Sequence, residues 1–528
     1  SGSDYFSGSR EKPFRTISKA ANVMKAGDKC YIAEGVYRET VNMNIYGTKE
    51  NPVTFEAYNG GKVVISAADE ISGWEKYNGN IYRAKMEWDY KSGNGNMLFS
   101  DGEQCFEARW PNTSDLLDYD SYAKAQSVNK TAVSITNSEL PDIDYTGAVV
   151  WYNTEAGYWS KTSTVTGYNK STKTISFKTS SDATTYVPQT GSIFYVTRAW
   201  GLLDSPKEWF KDSKTGYIYF GTDGKTDPNN LCIEAKKREN AIVMDNSRYV
   251  NVKGITVRGG NIKTGENTKN CTWDNMVIES VDYNISGGNS ANPDAASFVI
   301  YGENNTLKNS EIKNCYGDGV VMDGRCNSVV NNYIHDVNFE HTYSYGICVK
   351  GENQFINHNT VSKTGRSALG GDFRASEISY NDFYNTMRLS IDGGVIYLVN
   401  NDYDSSEIHH NLIHDNSGKE GYQSGIYYDS NTNNVITYNN VVWNIENGLE
   451  KAKFMTLNTP SANNIFFNNT FINDSQVNIY PSNGSVEGAV FLNNIFKQEG
   501  LPDETIKEKN INYSNNVIVS MNDLNDDF

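Results

Sequence analysis

The chain has 528 residues, a formal net charge of −17, 44 glycines, 35 tyrosines and only 11 prolines. So acidic a balance argues against a nucleic-acid backbone as partner, and no run approaches the ~18 consecutive apolar residues of a membrane span. Seven cysteines, an odd number with no Cys-x-x-Cys pair, suggest neither a disulfide framework nor a zinc site. They read as buried free thiols, with one disulfide left open.

The first predicted element is a helix within Lys12–Asp28. Ile17, Ala20, Ala21 and Met24 fall on one face, Thr16 is placed to cap its start, and Gly27 to stop it. Two short strands follow around Gly35. A stack of coils exposes its end core, so an amphipathic helix ahead of the first coil reads as a cap. No signal segment is visible and the chain opens on Ser1, so secretion is compatible with the sequence without being shown by it.

From Leu98 to about Phe220 longer alternating strands, such as Gly147-Ala-Val-Val-Trp-Tyr and Thr174-Ile-Ser-Phe-Lys-Thr, are separated by turns and suit antiparallel pairing. The predicted organisation is therefore a cap and first coils over 1–97, an inserted antiparallel β-domain over 98–232, and a main solenoid over 233–528. The acidic tail Asn522-Asp-Leu-Asn-Asp-Asp-Phe reads as a frayed end.

Beyond residue 329 one phrase returns: an apolar residue, an Asn three places on, then usually another apolar residue. The Asn positions are taken as 332, 359, 381, 411, 439, 468 and 493, one repeat every 22 to 30 residues. Such an array specifies a solenoid whose repeats are single coils, here an all-β, right-handed parallel β-helix. Stacked about 4.8 Å apart, bend asparagines hydrogen-bond their neighbours above and below. The column is read as scaffold. So are most of the histidines, since His335-Asp336 and His414-Asp415 copy one phrase and His409 and His410 should face opposite ways along a strand.

Counted from the Asn column, Asp372, Asp392 and Glu450 lie 11 to 13 residues on, and Lys350 and Asp429 lie 18 on. Subtracting insertions at Asn338–Tyr345 and Ser417–Ser424 brings all five onto one strip of the wall. A rival register matches Gly394-Val-Ile-Tyr with Gly425-Ile-Tyr-Tyr and separates Asp392 from Asp429 along the strand. Paired carboxyl groups on such a strip suit glycosidic cleavage. Neighbouring coils would give the spacing of a retaining pair, and Asp392 with Glu450 that of an inverting one. Asp372 would hold substrate or tune a neighbour. Tyr397, Tyr427, Tyr428 and Trp443 offer stacking faces, half of them turned into the core. Arg388 reads equally as a substrate or carboxylate contact and as a surface residue.

Three sets of phrases carry a family resemblance. The first is Phe106-Glu-Ala-Arg-Trp-Pro-Asn with Leu203-Asp-Ser-Pro-Lys-Glu-Trp. The second is Arg388-Leu-Ser-Ile-Asp-Gly-Gly-Val-Ile-Tyr with Ile408-His-His-Asn-Leu-Ile-His-Asp. The third is Gly425-Ile-Tyr-Tyr-Asp-Ser-Asn. Together they resemble right-handed β-helix glycoside hydrolases of the family that groups α-L-fucosidases of pectin side chains with xylanases, with β-xylosidases as more distant relatives. The opening helix and Gly35-Val-Tyr-Arg-Glu likewise resemble the start of secreted β-helix carbohydrate-active enzymes. The resemblance implies Asp392 and Asp429 as the catalytic pair. Ser430-Asn431 departs from the Asp and Gly that often follow the later aspartate.

The sequence reading is thus a secreted or cell-surface hydrolase of xylan or pectin-derived glycan. It has Asp392 and Asp429 as carboxyl pair, Glu450 in reserve, and Asp372, Lys350, Arg388, Tyr397, Tyr427 and Trp443 at the substrate. It is expected to be monomeric and to need no metal or cofactor, a structural calcium aside. Two rivals stay open. One is a polysaccharide lyase with Lys350 and Arg366 or Arg374 as bases and Asp402 with Asp404 holding calcium. The other is a non-catalytic glycan-binding β-helix.

Overall fold

The computed structural model describes residues 2–519 except 132, 179–185, 282, 284–295, 419–421, 448–452, 473–476, 481–483, 498–500, 502–504 and 507–508. Short strands repeat coil after coil and pair in parallel with their copies above and below, building three long sheets. In the first sheet Leu307, Val329, Ile356, Ile378 and Ile408 stack in register. The second stacks Ile312, Ile334, Val361, Phe383 and Ile413, and the third Val320, Ile347, Leu369, Ile396 and Ile426. All are fully buried in one continuous core. β-branched and aromatic residues fit a pleated surface, and the third-sheet strands add a second inward residue to each coil, as Met322, Val349, Leu398 and Tyr428 do. The chain is a parallel β-helix.

The asparagine ladder runs through this core, with a corrected phase. The backbone N–H of Asn332 donates to the side-chain oxygen of Asn359 at 3.0 Å, and the pattern repeats through Asn381 and Asn411. It continues to Asn440, Asn469 and Asn494, not to the predicted 439, 468 and 493. Those three are the first member of an Asn-Asn pair and make the bend, with φ of 54, 55 and 53°. Asn331, His358, Tyr380 and His410 make it in earlier coils. Each buried amide also donates to a main-chain carbonyl, as Asn359 does to Val329 at 2.8 Å, so none is left as a costly unpaired group.

The cap helix is short, Ile17–Ala21. Thr16 accepts from the Lys19 N–H, and Ile17, Ala20 and Ala21 are buried against the first coil. Gly27, the predicted stop, lies instead in a later left-handed turn. Glu39 explains the spacing of the opening phrases: its two oxygens accept from the N–H groups of Ile17 and Ser18, both at 2.9 Å. A carboxylate there pairs otherwise orphaned helix donors.

One coil is interrupted. The chain leaves the solenoid after the second-sheet strand Val63–Ser66 and re-enters it at the third-sheet strand Asn240–Met244. Antiparallel pairing begins at Ala68–Glu70, ahead of the boundary expected at residue 98. Glu75–Asn78 and Ile81–Lys85 belong to the same intervening sheets. Their partner Tyr217–Gly221 lies far along the chain, and Glu75–Asn78 is exposed throughout, so no local alternation betrays them. The inserted strands clamp onto the solenoid. Trp151 Nε1 and Ser160 Oγ both donate to the Glu340 carbonyl, and the Ile391 N–H donates to the Gly157 carbonyl. Gly157 is obligatory there, since a Cβ would sit 1.9 Å from the Ile391 side chain and φ is +72°. No helix among the described residues is long and apolar enough to cross a membrane.

Candidate active site

The third sheet carries most of the predicted residues on its outer face. Cys348 pairs with Gly370, and Gly351 with Phe373, so Lys350 and Asp372 occupy equivalent positions on adjacent coils. Gly370 pairs with Tyr397, Tyr397 with Tyr427, and Tyr427 with Thr456. Two places on, Asp429 falls in line with Lys350, Asp372 and Asn458.

Asp392 does not join that line. It opens the strand Asp392–Leu398 and pairs with Tyr422, while Leu398 pairs with Tyr428 just before Asp429. The insertion-corrected strip therefore fails for Asp392, and with it the neighbouring-coil argument for retention. The extra residues do not all loop out: both strands lengthen to seven residues, against four in Ser367–Gly370. The rival register comes within one residue, since Gly394 faces Ser424 and not Gly425.

Side chains nonetheless bring the two aspartates into one electrostatic unit. The Tyr343 hydroxyl donates to the Tyr397 hydroxyl at 2.8 Å, which donates to Asp429 at 2.5 Å. Asp429 also accepts from Asn458 Nδ2 and from the Ser430 N–H, each at 2.7 Å. The Arg366 guanidinium lies 4.0 Å from the Tyr343 ring centre and 4.4 Å from that of Tyr397. Arg366 is 1% exposed, and its Nε and Nη1 have no hydrogen-bond partner among the described residues. Gly393 leaves room beside it, since a Cβ there would lie 3.4 Å from Nη2.

Burial pushes the Asp392 carboxyl up to about 6. The Arg366 charge opposes that rise, the Asp429 charge adds to it, and the Gly393 N–H lowers it. Burial also raises Asp372, against the pull of Lys350. His341 is fully buried and driven down to about 3 by burial and by Arg366, so it stands neutral beside the cluster. The insert supplies a further wall: Tyr158 donates to the Tyr186 hydroxyl at 3.0 Å, and its ring centre is 6.5 Å from that of Tyr343.

The other predicted residues scatter. Tyr427 packs edge-on to Tyr397 at 5.3 Å, whereas Tyr428 points into the core and bonds Thr437. Trp443 is on the second sheet, stacked 4.1 Å from His414. Arg388 reaches the Asn385 side chain and the Leu117 carbonyl of the insert, which makes it a clasp between the two units. Glu450 lies outside the described residues. Of the lyase set, Arg374 is exposed and donates to the Asp402 carbonyl, while Asp402 accepts from the Asp404 N–H and from Asn434. No three His, Cys, Asp or Glu side chains converge as metal ligands among the described residues. His409 and His410 touch, Nδ1 to Nδ1 at 2.8 Å, because the left-handed bend at His410 breaks strand alternation.

Sequence reasoning missed Tyr343 and Tyr158 and met Arg366 only as a generic base. Tyr343-Ser-Tyr345, an aromatic pair inside a coil insertion, was the available signal. Nothing in the Tyr158 segment marks it as facing the solenoid.

Comparisons with known proteins agree on architecture. A family model described as Chondroitinase B matches residues 12–77, the cap, the first coils and the start of the insert. An uncharacterized protein, YwoF of Bacillus subtilis (strain 168), is 45% identical over 65 residues, which is 12% of this chain and 14% of that protein. Two solved structures share the fold. One, described as the complex of XylC with xylose, has 16% identity and a TM-score of 0.59, over 100% of this chain and 86% of that one. The other, described as a glycoside hydrolase, has 15% identity and a TM-score of 0.66, over 97% of this chain and 98% of that one. At such identities the likeness is one of fold.

Proposed function

We propose that the chain is a glycoside hydrolase acting on plant cell-wall polysaccharide, xylan or a pectin-derived glycan, with Asp392 and Asp429 as its carboxyl pair. The observation that carries the reading is the contrast between the two groups. Asp392, raised to about 6, keeps a proton at mildly acidic pH, as a general acid must. Asp429 accepts three hydrogen bonds and offers lone pairs, the arrangement suited to a nucleophile or base. Tyr397 and Tyr427, both buried and packed edge-on to each other, form the wall beside them, and Lys350 and Asp372 extend the polar line along the coils. A polymeric substrate outside the cell fits a secreted or surface-bound monomer. The fold shared with XylC makes xylose-containing chains the first substrates to try.

Elimination is the second reading, favoured by the match to Chondroitinase B. Against it, that match covers none of the candidate residues, and of the arginines that would join Lys350 as base, Arg366 lies against the Tyr343 and Tyr397 rings while Arg374 is exposed and bonded to the Asp402 carbonyl. Incubation with soluble xylan and pectin separates the two: new reducing ends without ultraviolet-absorbing product mean hydrolysis, and rising absorbance means elimination. Asp392→Asn and Asp429→Asn should each lower kcat by at least 100-fold. Full activity in both would remove the pair from the mechanism.

A further inference from the structure

The insert and the solenoid enclose a groove of about 530 Å³, lined by none of the residues of the carboxylate cluster and within the size range of small-ligand sites. Its floor comes from four successive coils, one residue each: Ser280, Asn314, Asp336 and Lys363. All four have left-handed backbone, with φ of 56, 56, 51 and 47°. Three coil spacings give the floor a length of about 14 Å. The opposite wall is the inserted segment from Gly102 to Leu116. Phe106 and Phe339 add apolar faces, the latter held edge-on by Tyr316 at 5.3 Å.

The lining selects a class of ligand. Both lining ammonium groups already face a carboxylate, Lys313 at Glu311 and Lys363 at Asp336, while Glu103 pairs with Lys207 and Glu279 with Arg258, so the groove holds no surplus positive charge for an anion. The carboxylates are spread around the groove, and no metal-ligating cluster forms among the described residues. Asp336 and Lys363 are 3.7 Å apart, so acceptor and donor stand side by side. Alternating acceptors and donors with aromatic faces suit a neutral polyhydroxylated ring, whose hydroxyls do both and whose C–H face is apolar. None of Asp392, Asp429, Tyr343, Tyr397 and Arg366 lines the groove. Phe339 lines the groove whereas Tyr343 bonds Tyr397, and between them in the chain the Glu340 carbonyl is bonded to Trp151 and Ser160 of the insert.

We propose that this groove is a second, non-catalytic binding site for a neutral glycan, which anchors the polymer beside the site where it is cut. The anchoring role rests on the hydrolase reading; binding in the groove does not. The test is affinity electrophoresis through gels holding soluble xylan or soluble pectin, with the Asp392→Asn protein so that the probe is not consumed. Two changes are added separately. Ser114→Trp fills the groove from an exposed wall position, and the pair Lys313→Ala and Lys363→Asn removes the donors, Asn being tolerant of left-handed backbone.

At least one probe should retard the parent protein, and both changes should weaken that retardation at least fivefold. With Asp392 intact, the same changes should leave hydrolysis of a xylose disaccharide unaltered and raise KM for the polymer. Retardation that survives both changes, or a parent retarded by neither probe, overturns the proposal. If no substrate is cleaved by the wild-type chain, the hydrolase reading falls alone, because retardation is read without catalysis.

Discussion

Asp392→Asn should stabilise the protein, and do so increasingly as pH rises. The folded chain holds the Asp392 proton up to about pH 6, whereas an ordinary aspartate releases it near 3.8. Between those values the folded state binds more protons than the unfolded one, so stability falls as pH rises and the whole cost applies above 6. At 1.36 kcal/mol per pH unit the interval corresponds to about 3 kcal/mol, or roughly 2–3 kcal/mol for a half-buried group partly screened by solvent. Asparagine keeps the shape and cannot ionise. Its advantage over the wild type should be near zero at pH 4 and complete by pH 7. Unfolding entropy scales to about 1.1 kcal/mol per degree for a cooperative chain of this length, so the gain in Tm is about 2–3 °C. Thermal melts at pH 4, 5, 6, 7 and 8 measure it. A difference that is flat with pH would refute the raised carboxyl, and with it the assignment of Asp392 as the acid. An alkaline limb of kcat/KM near pH 6 should report the same titration.

Three further changes probe the neighbouring groups. Tyr397→Phe keeps the ring but removes the hydroxyl that donates to Asp429, and kcat/KM should fall about tenfold or more, as loss of a charge-assisted hydrogen bond costs about 1.5–3 kcal/mol. Unchanged kinetics would mean that Asp429 does not depend on that donor. Arg366→Met removes the charge that holds Asp392 down, so the alkaline limb of the pH–rate profile should move above 6 while Arg366→Lys leaves it nearer the parent value. A shift to lower pH contradicts the geometry. Asn440→Ala breaks the ladder and should cost about 2–3 kcal/mol by denaturant melts, whereas Asn439→Gly, at a left-handed bend, should cost less than about 1 kcal/mol. The reverse order would restore the register read from the sequence.

Periodicity made the solenoid and its cap legible, because the same inward positions recur in every coil and leave an unmistakable mark in the chain. It could not fix phase where two asparagines adjoin: bend and ladder accept the same residue type, and only the backbone tells Asn439 from Asn440. Nor could it say whether an insertion loops out or lengthens a strand. Here Gly393, with φ of +141°, lets the chain enter the third sheet early, and Asp392 moved off the predicted strip as a result. The start of the insert was hidden because Ile81–Lys85 pairs with Tyr217–Gly221, a contact without local pattern. The aspartates were found through motifs, whereas the tyrosines and arginine that link them come from coils and loops that only folding assembles.

The interrupted coil has a consequence for how the protein is made. Strand Val41–Asn42 has its parallel partner at Ile242–Val243, about two hundred residues later in synthesis. The N-terminal coils and cap therefore cannot close until the insert has been translated and has brought its own ends together. Loop-closure entropy grows only logarithmically with length, so the delay taxes speed far more than final stability. Until that return the open end of the first coils is an exposed strand edge, the kind of surface that pairs with other chains. The insert that walls the candidate site is thus also the piece whose prompt folding keeps the nascent solenoid from aggregating.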